Sequence, residues 1–234
     1  MIVDYTRLLS RRKFVIGGAS VSTLALAGCS VNREPTLAQK RLARRKASER
    51  AFNEYALLYG PKPEEQFPLP AVNLRVVNPK FYRREVTNST GYPEGTVVVD
   101  TKQFYLYWTQ PNGTAMRYGV GLGRAGFSWS GQGVIQWKKK WPTWTPPAEM
   151  IEREPDLEKY SAENGGMEPG LDNPLGARAL YIFQDGEDTL YRLHGTGEAS
   201  SIGKAVSSGC VRLLNQDVVD LYDRVPNGSP IIVV

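Results

Sequence analysis

From Gly95 onward the chain reads as short β-segments parted by turn residues, and this rhythm limits its fold more than any other feature. Thr96-Val97-Val98-Val99-Asp100 and Phe104-Tyr105-Leu106-Tyr107-Trp108 are rich in β-branched and aromatic side chains, which suit a pleated surface. Pro111-Asn112-Gly113 then turns the chain into a strand over 115–120. Further strands are expected at 134–137, 179–183, 190–194 and 231–234. The pattern predicts a mainly β fold, an antiparallel sandwich or barrel. One short helix interrupts late, with Asn215 as cap and Asp217 in the first turn. Val218, Leu221, Tyr222 and Val225 share its apolar face, and Pro226-Asn227-Gly228 stops it.

Residues 121–176 do not follow this rhythm. They hold four of the five tryptophans (Trp129, Trp137, Trp141, Trp144) and many prolines, as in Trp141-Pro142-Thr143-Trp144-Thr145-Pro146-Pro147. A long loop inside a folded domain is usually functional or disordered, and so many aromatics argue for order. An ordered cap or groove wall is expected in preference to core packing, with Trp141 and Trp144 lining the groove.

The front of the chain differs in kind. Its first 28 residues carry net +3 and residues 29–93 net +6, whereas residues 94–234 carry net −4. The overall +5 therefore does not describe the folded body, and a nucleic-acid enzyme would place positive charge there. Ser10-Arg11-Arg12-Lys13-Phe14-Val15 opens an uncharged apolar run ending in Leu26-Ala27-Gly28-Cys29-Ser30. The run is too short to span a bilayer and has signal-peptide length. It resembles a twin-arginine export signal with a lipoprotein cleavage site, which implies lipidation at Cys29 and a place on the periplasmic side of a membrane. Leu37 to Tyr59 reads as helix, with Leu42, Ala43, Ala47, Ala51, Tyr55 and Leu58 on one face. It is read either as a basic helix on an anionic membrane or as a stalk packed on the domain. Gly60 to Pro70 is proline-rich and reads as a linker. The expected division is a signal at 1–28, a lipidated helical stalk and linker at 29–94, and a catalytic domain at 95–234.

Two cysteines and one histidine cannot build a Cys/His zinc site, so no metal and no cofactor is expected. If Cys29 is lipidated, Cys210 stands alone in an oxidising compartment, which points to a reactive thiol. His194 is the sole imidazole, sixteen positions upstream at the end of an expected strand. A thiol becomes a strong nucleophile once a base takes its proton. A neutral oxygen beside the ring would fix its tautomer. Small residues before Cys210 allow a tight turn whose N–H groups could face an oxyanion.

The sequence resembles the L,D-transpeptidase catalytic domain family (the YkuD or ErfK/YbiS/YcfS/YnhG type). The resemblance runs through Val98-Val99-Asp100, Asn173-Pro174-Leu175-Gly176-Ala177-Arg178, His194-Gly195-Thr196, Ile202-Gly203 and Ser207-Ser208-Gly209-Cys210-Val211-Arg212-Leu213. Many members carry a second histidine before the Gly-Cys, and Ser208 stands there in this chain. The resemblance implies attack by Cys210 on the stem tetrapeptide of peptidoglycan, between its third residue and D-Ala. His194 would move the proton, the Gly195 carbonyl would orient His194, and backbone N–H groups of Ser208, Gly209 and Cys210 would hold the oxyanion. Ser207 and Arg212 would contact substrate, although a structural salt bridge is an equal reading of Arg212. The acceptor would be an amine of another stem, a lysine of an outer-membrane lipoprotein, or water.

Other readings are a peptidoglycan-binding module without chemistry, a papain-type peptidase and a hydrolase of the same fold. The chain order His before Cys argues against the second.

Overall fold

The computed structural model describes residues 34–123, 130–207 and 210–234. The expected signal with Cys29, Trp129, and Ser208 with Gly209 lie outside the described residues. The chain divides into two units, Met1–Arg44 and Arg45–Val234. In the first, the described residues begin α1 (Leu37–Leu58). Thr36 and Gln39 cap this helix reciprocally: the Thr36 N–H donates to Gln39 Oε1 at 2.8 Å and the Gln39 N–H to Thr36 Oγ1 at 3.2 Å. The helix is where the sequence placed it, but its apolar face is not a packing face. No residue of α1 is buried, and Leu42 is 53% exposed. Arginines and lysines interrupt the apolar stripe, so only Tyr55 meets a partner ring, Tyr82, at 4.8 Å.

The second unit is built on a mixed sheet. Its strands are β1 (Arg84–Thr87), β2 (Val97–Asp100), β3 (Tyr105–Thr109), β4 (Thr114–Gly119), β6 (Gly131–Lys140), β7 (Arg178–Gln184), β8 (Glu187–Thr196), β10 (Val211–Leu214) and β11 (Ser229–Val233). They lie in the order β1-β4-β3-β2-β11-β6-β7-β8-β10, and a second sheet pairs β5 (Leu122–Gly123) with β9 (Ala205–Ser207). The mainly β expectation is met. The sheet is not wholly antiparallel, because β11 runs parallel to β2 and β10 parallel to β8. A short helix α2 (Ala148–Arg153) lies between β6 and β7, and α3 (Asn215–Arg224) supplies the connection from β10 towards β11.

Period-two alternation sends one face of these strands into a single core. Val97, Leu106, Tyr118, Ile135, Leu180, Leu193, Val211, Leu213 and Ile231 meet there with Val218 and Leu221 of α3. Eight strands feeding one cluster require the sheet to curl. A backbone bridge between Gly121, just after β4, and Arg212 of β10 ties the curl across, with N–H donors at 2.9 Å in both directions. Gly121 is needed there, since a Cβ would sit 2.7 Å from the Ser201 carbonyl.

Asn215 does not cap α3. It is the first helical residue, and its Oδ1 accepts from the Ala177 N–H at 3.0 Å. The proline-rich run is likewise no spacer, because Leu69 and Phe67 pack with Trp141, Ala177 and Val219 and Glu65 pairs with Arg178, and the residues that flank the run are built into the body as well. Tyr59, Leu74, Val77, Phe81 and Tyr82 form a second core with Tyr105, Ile202 and Leu214. Tyr59 Oη donates to Asp217 Oδ2 at 3.2 Å, and Arg83 pairs with Asp220 at 3.2 Å, which joins the segment to α3.

Candidate active site

β7, β8 and β10 set the site through alternation. Leu180, Leu193, Val211 and Leu213 point into the core, so their neighbours point to the opposite face. On that face Ala179 stands opposite His194, and His194 opposite Arg212. One step back along the strands, Tyr181 stands opposite Arg192. Cys210 directly precedes Val211, whose partner is Leu193, so Cys210 comes beside Arg192. Cys210 and His194 thus share a face on adjacent strands, one spacing across and two residues along. Strand geometry puts their Cα atoms about 8 Å apart, a separation their side chains can bridge.

His194 is 4% exposed. Its Nδ1 lies 2.8 Å from the Gly195 carbonyl oxygen. A carbonyl can only accept, so the neutral ring carries its proton on Nδ1 and its lone pair on Nε2. Burial pushes His194 down to about 4, and the positive charges of Arg212 and Arg192 act in the same direction. The Gly195 and Pro174 carbonyls pull the other way and lose. Burial also pushes the Cys210 thiol up, against the Arg192 backbone and the charges of Arg192 and Arg212. Both groups therefore rest uncharged near neutral pH.

The loop before β7 holds this imidazole in place. Asn173 Oδ1 accepts from the Leu175 N–H at 2.9 Å, and its Nδ2 reaches the carbonyls of Pro142, Met167 and Glu168 at 3.0 to 3.1 Å. The Gly195 N–H then donates to the Leu175 carbonyl at 3.0 Å. Gly195 itself must be glycine, because a Cβ would come within 2.2 Å of Asn215 Oδ1.

The remaining expected residues divide. Arg212 pairs with Glu198 at 3.3 Å beside His194. Ser207 ends β9. Trp141 is not a groove wall: it is 3% exposed and packs with Leu69, Ala177 and Val219, and its Nε1–H donates to Glu65 at 3.0 Å. Its apolar ring is worth more buried than wet, and Glu65 meets its one polar atom. Trp144 is half-buried, bridged through its backbone to Met167, with its ring 6.4 Å from Tyr160. On the face of His194, Trp137 and Tyr181 stack with ring centres 3.5 Å apart. Their signal was the alternation itself, which places Tyr181 in step with Arg192 across the β7–β8 pair. Among the described residues no cluster of His, Cys, Asp and Glu could hold a metal ion.

Comparison with known proteins meets this geometry from another side. The probable L,D-transpeptidase ErfK/SrfK of Escherichia coli is 33% identical over 146 residues, which cover 59% of this chain and 43% of that protein. The probable L,D-transpeptidase YbiS of Escherichia coli is 35% identical over 147 residues, covering 58% and 43%. The chain thus spans less than half the length of these relatives. A solved chain from Brucella melitensis, named a probable carnitine operon oxidoreductase, is 44% identical. That match covers 69% of this chain and 99% of that one, but its TM-score of 0.47 is too low to carry fold or chemistry. The family profile described as YkuD, L,D-transpeptidase catalytic domain, matches residues 94–233, a stretch that contains every strand from β2 to β11 with both His194 and Cys210. By that match over more than half its length, the chain belongs to the YkuD family of L,D-transpeptidase catalytic domains.

Proposed function

We propose that this protein is a peptidoglycan L,D-transpeptidase with Cys210 as nucleophile and His194 as proton carrier. The observation that carries the reading is the shared face of β8 and β10, with the imidazole held in the Nδ1–H tautomer by Gly195. His194 Nε2 takes the thiol proton as sulfur attacks the carbonyl of the third stem residue. Backbone N–H groups of Ser208, Gly209 and Cys210 take up the negative charge on the oxygen, a contribution worth about 10²–10³ in rate per donor. The carbon–nitrogen bond then breaks, and the imidazolium returns its proton to the departing D-Ala amine. A thioester remains. An amine of a second stem, or a lysine of a lipoprotein, attacks it and restores the thiol. Arg212 lies next to His194 in register and can meet a stem carboxylate once Glu198, which is mostly exposed, gives way.

The same reading includes export and lipidation at Cys29, with the catalytic domain on the periplasmic side. The residues that support it are the twin arginine and the Leu-Ala-Gly-Cys run. Loss of fatty-acid labelling in Cys29→Ser tests the anchor.

Incubation of purified protein with disaccharide-tetrapeptide, read by mass, tests the chemistry. Dimers joined between third residues, with release of D-Ala, are expected, and Cys210→Ala abolishes both. Tripeptide alone would make the protein a hydrolase of the same fold. Unchanged substrate would leave only a binding module.

A further inference from the structure

The face that carries His194 and Cys210 extends well past them. Trp137 of β6 stands opposite Tyr181 of β7, and Tyr181 opposite Arg192 of β8, with Cys210 next in line. These side chains form one continuous row. The Trp137 and Tyr181 rings stack at 3.5 Å and 12°. The Arg192 guanidinium lies 4.4 Å from the Tyr181 ring centre, and Asp188 fixes it with hydrogen bonds of 2.6 and 2.8 Å. Tyr181 is clamped and only 8% exposed, whereas Trp137 keeps 38% exposure at the end of the row.

A cross-strand aromatic pair stabilises a sheet wherever it sits. This pair has two further properties. Its outer member is held rigid yet open to solvent, and it lies on the face of the nucleophile. Tryptophan is among the side chains most enriched where binding energy concentrates. Its negative ring face suits the weakly positive C–H bonds on one side of a pyranose ring.

Distance selects the ligand. Three strand spacings of about 4.8 Å put Trp137 about 14 Å from the Cys210 backbone, across the strands. In the substrate proposed above, three stem residues and a lactyl link separate the attacked carbonyl from the amino sugar. Extended, at about 3.4 Å per unit, these four units also span about 14 Å.

We propose that Trp137 forms a saccharide subsite, stacking on the amino-sugar ring of a donor stem laid across β6, β7, β8 and β10. The proposal rests on the transpeptidase reading and narrows it: the substrate is the sugar-linked stem rather than a free peptide. Tyr181 and Arg192 act as positioning residues that hold the indole upright.

The test compares two donors, disaccharide-tetrapeptide and the free tetrapeptide of the same sequence, in native protein, Trp137→Ala and Trp137→Phe. The readout is the ratio of kcat/KM between donors, which a general loss of fold would not move. The native protein is expected to prefer the sugar-bearing donor. Trp137→Ala should cut that preference about five- to tenfold and Trp137→Phe by less. An unchanged ratio in Trp137→Ala, or no preference in the native protein, overturns the subsite. If the native protein turns over neither donor, the transpeptidase reading fails separately. The subsite is then judged by calorimetric binding of both compounds to Cys210→Ser protein. A sugar-dependent gain in affinity that Trp137→Ala removes upholds it, and absence of that gain or its survival in Trp137→Ala overturns it.

Discussion

An uncharged imidazole is the form able to accept a proton, and burial keeps His194 in that form far into acid. A free histidine would lose its lone pair below about 6.5. His194, pushed down to about 4, keeps it until pH approaches that value. We therefore expect the acid limb of kcat/KM to have its midpoint near pH 4, not near 6.5. A midpoint above 6 in a pH–rate profile would show that the ring is solvated in the working enzyme. The thiol is pushed up by burial, so alkylation of Cys210 in the absence of substrate should reach half its maximal rate at a higher pH than alkylation of a free cysteine under the same conditions. The candidate pair was legible in the sequence because a single histidine and two cysteines, one of them in the family motif, left few competitors. Trp141 was not legible. A tryptophan among prolines reads equally as wall or core, and what settles its place is Glu65, 76 positions away.

At the scale of elements, the deciding interactions join segments distant in sequence. Glu65 accepts from Arg178 at 2.6 and 2.8 Å and from Trp141, with both charged side chains nearly buried. Burial alone would raise the Glu65 carboxyl, and the Arg178 guanidinium more than reverses this. Removing one partner of such a pair leaves a buried charge and costs about 3–5 kcal/mol. Glu65→Ala should lower the urea midpoint accordingly, with Glu49→Ala as a contrast. Glu49 pairs with Arg45 on the open surface of α1, where such contacts are worth about 0–1 kcal/mol. Equal effects of the two changes would contradict this account. Strand positions were readable from alternation, and β2, β3, β4, β7 and α3 lie within a few residues of their expected places. The parallel pairings were not readable, because a strand's own pattern does not say which neighbour it takes. β10 was also hidden, since Val211-Arg212-Leu213-Leu214 is too short to stand out from the motif around Cys210.

For the whole molecule, the family profile begins at residue 94, yet the packed body begins earlier. Removing the preceding segment would expose Tyr105, Ile202, Leu214 and Trp141, and would leave Arg178 without its carboxylate. We expect a fragment of residues 95–234 to aggregate or lack a cooperative transition in circular dichroism, and a fragment of residues 45–234 to fold. Cooperative folding of the shorter fragment would reduce the earlier residues to decoration. Their role escaped the sequence because the prolines up to Pro70 read as a spacer, and Pro79 breaks the helical spacing of Leu74, Val77, Phe81 and Tyr82 into two short 3-10 turns, Leu74–Val76 and Pro79–Phe81.

The hydrogen-bonded bridge between Gly121 and Arg212 has a consequence for how a ligand arrives. It fills the outer margin of β10 at Arg212, while β8 occupies the inner one. An incoming peptide cannot extend the sheet there as an extra strand, a common mode of capture elsewhere. Along that margin, recognition falls to side chains rising off the sheet's surface, which frees the bound chain from a fixed backbone register and lets branched, D-configured or sugar-bearing molecules dock where a ladder of amides would refuse them.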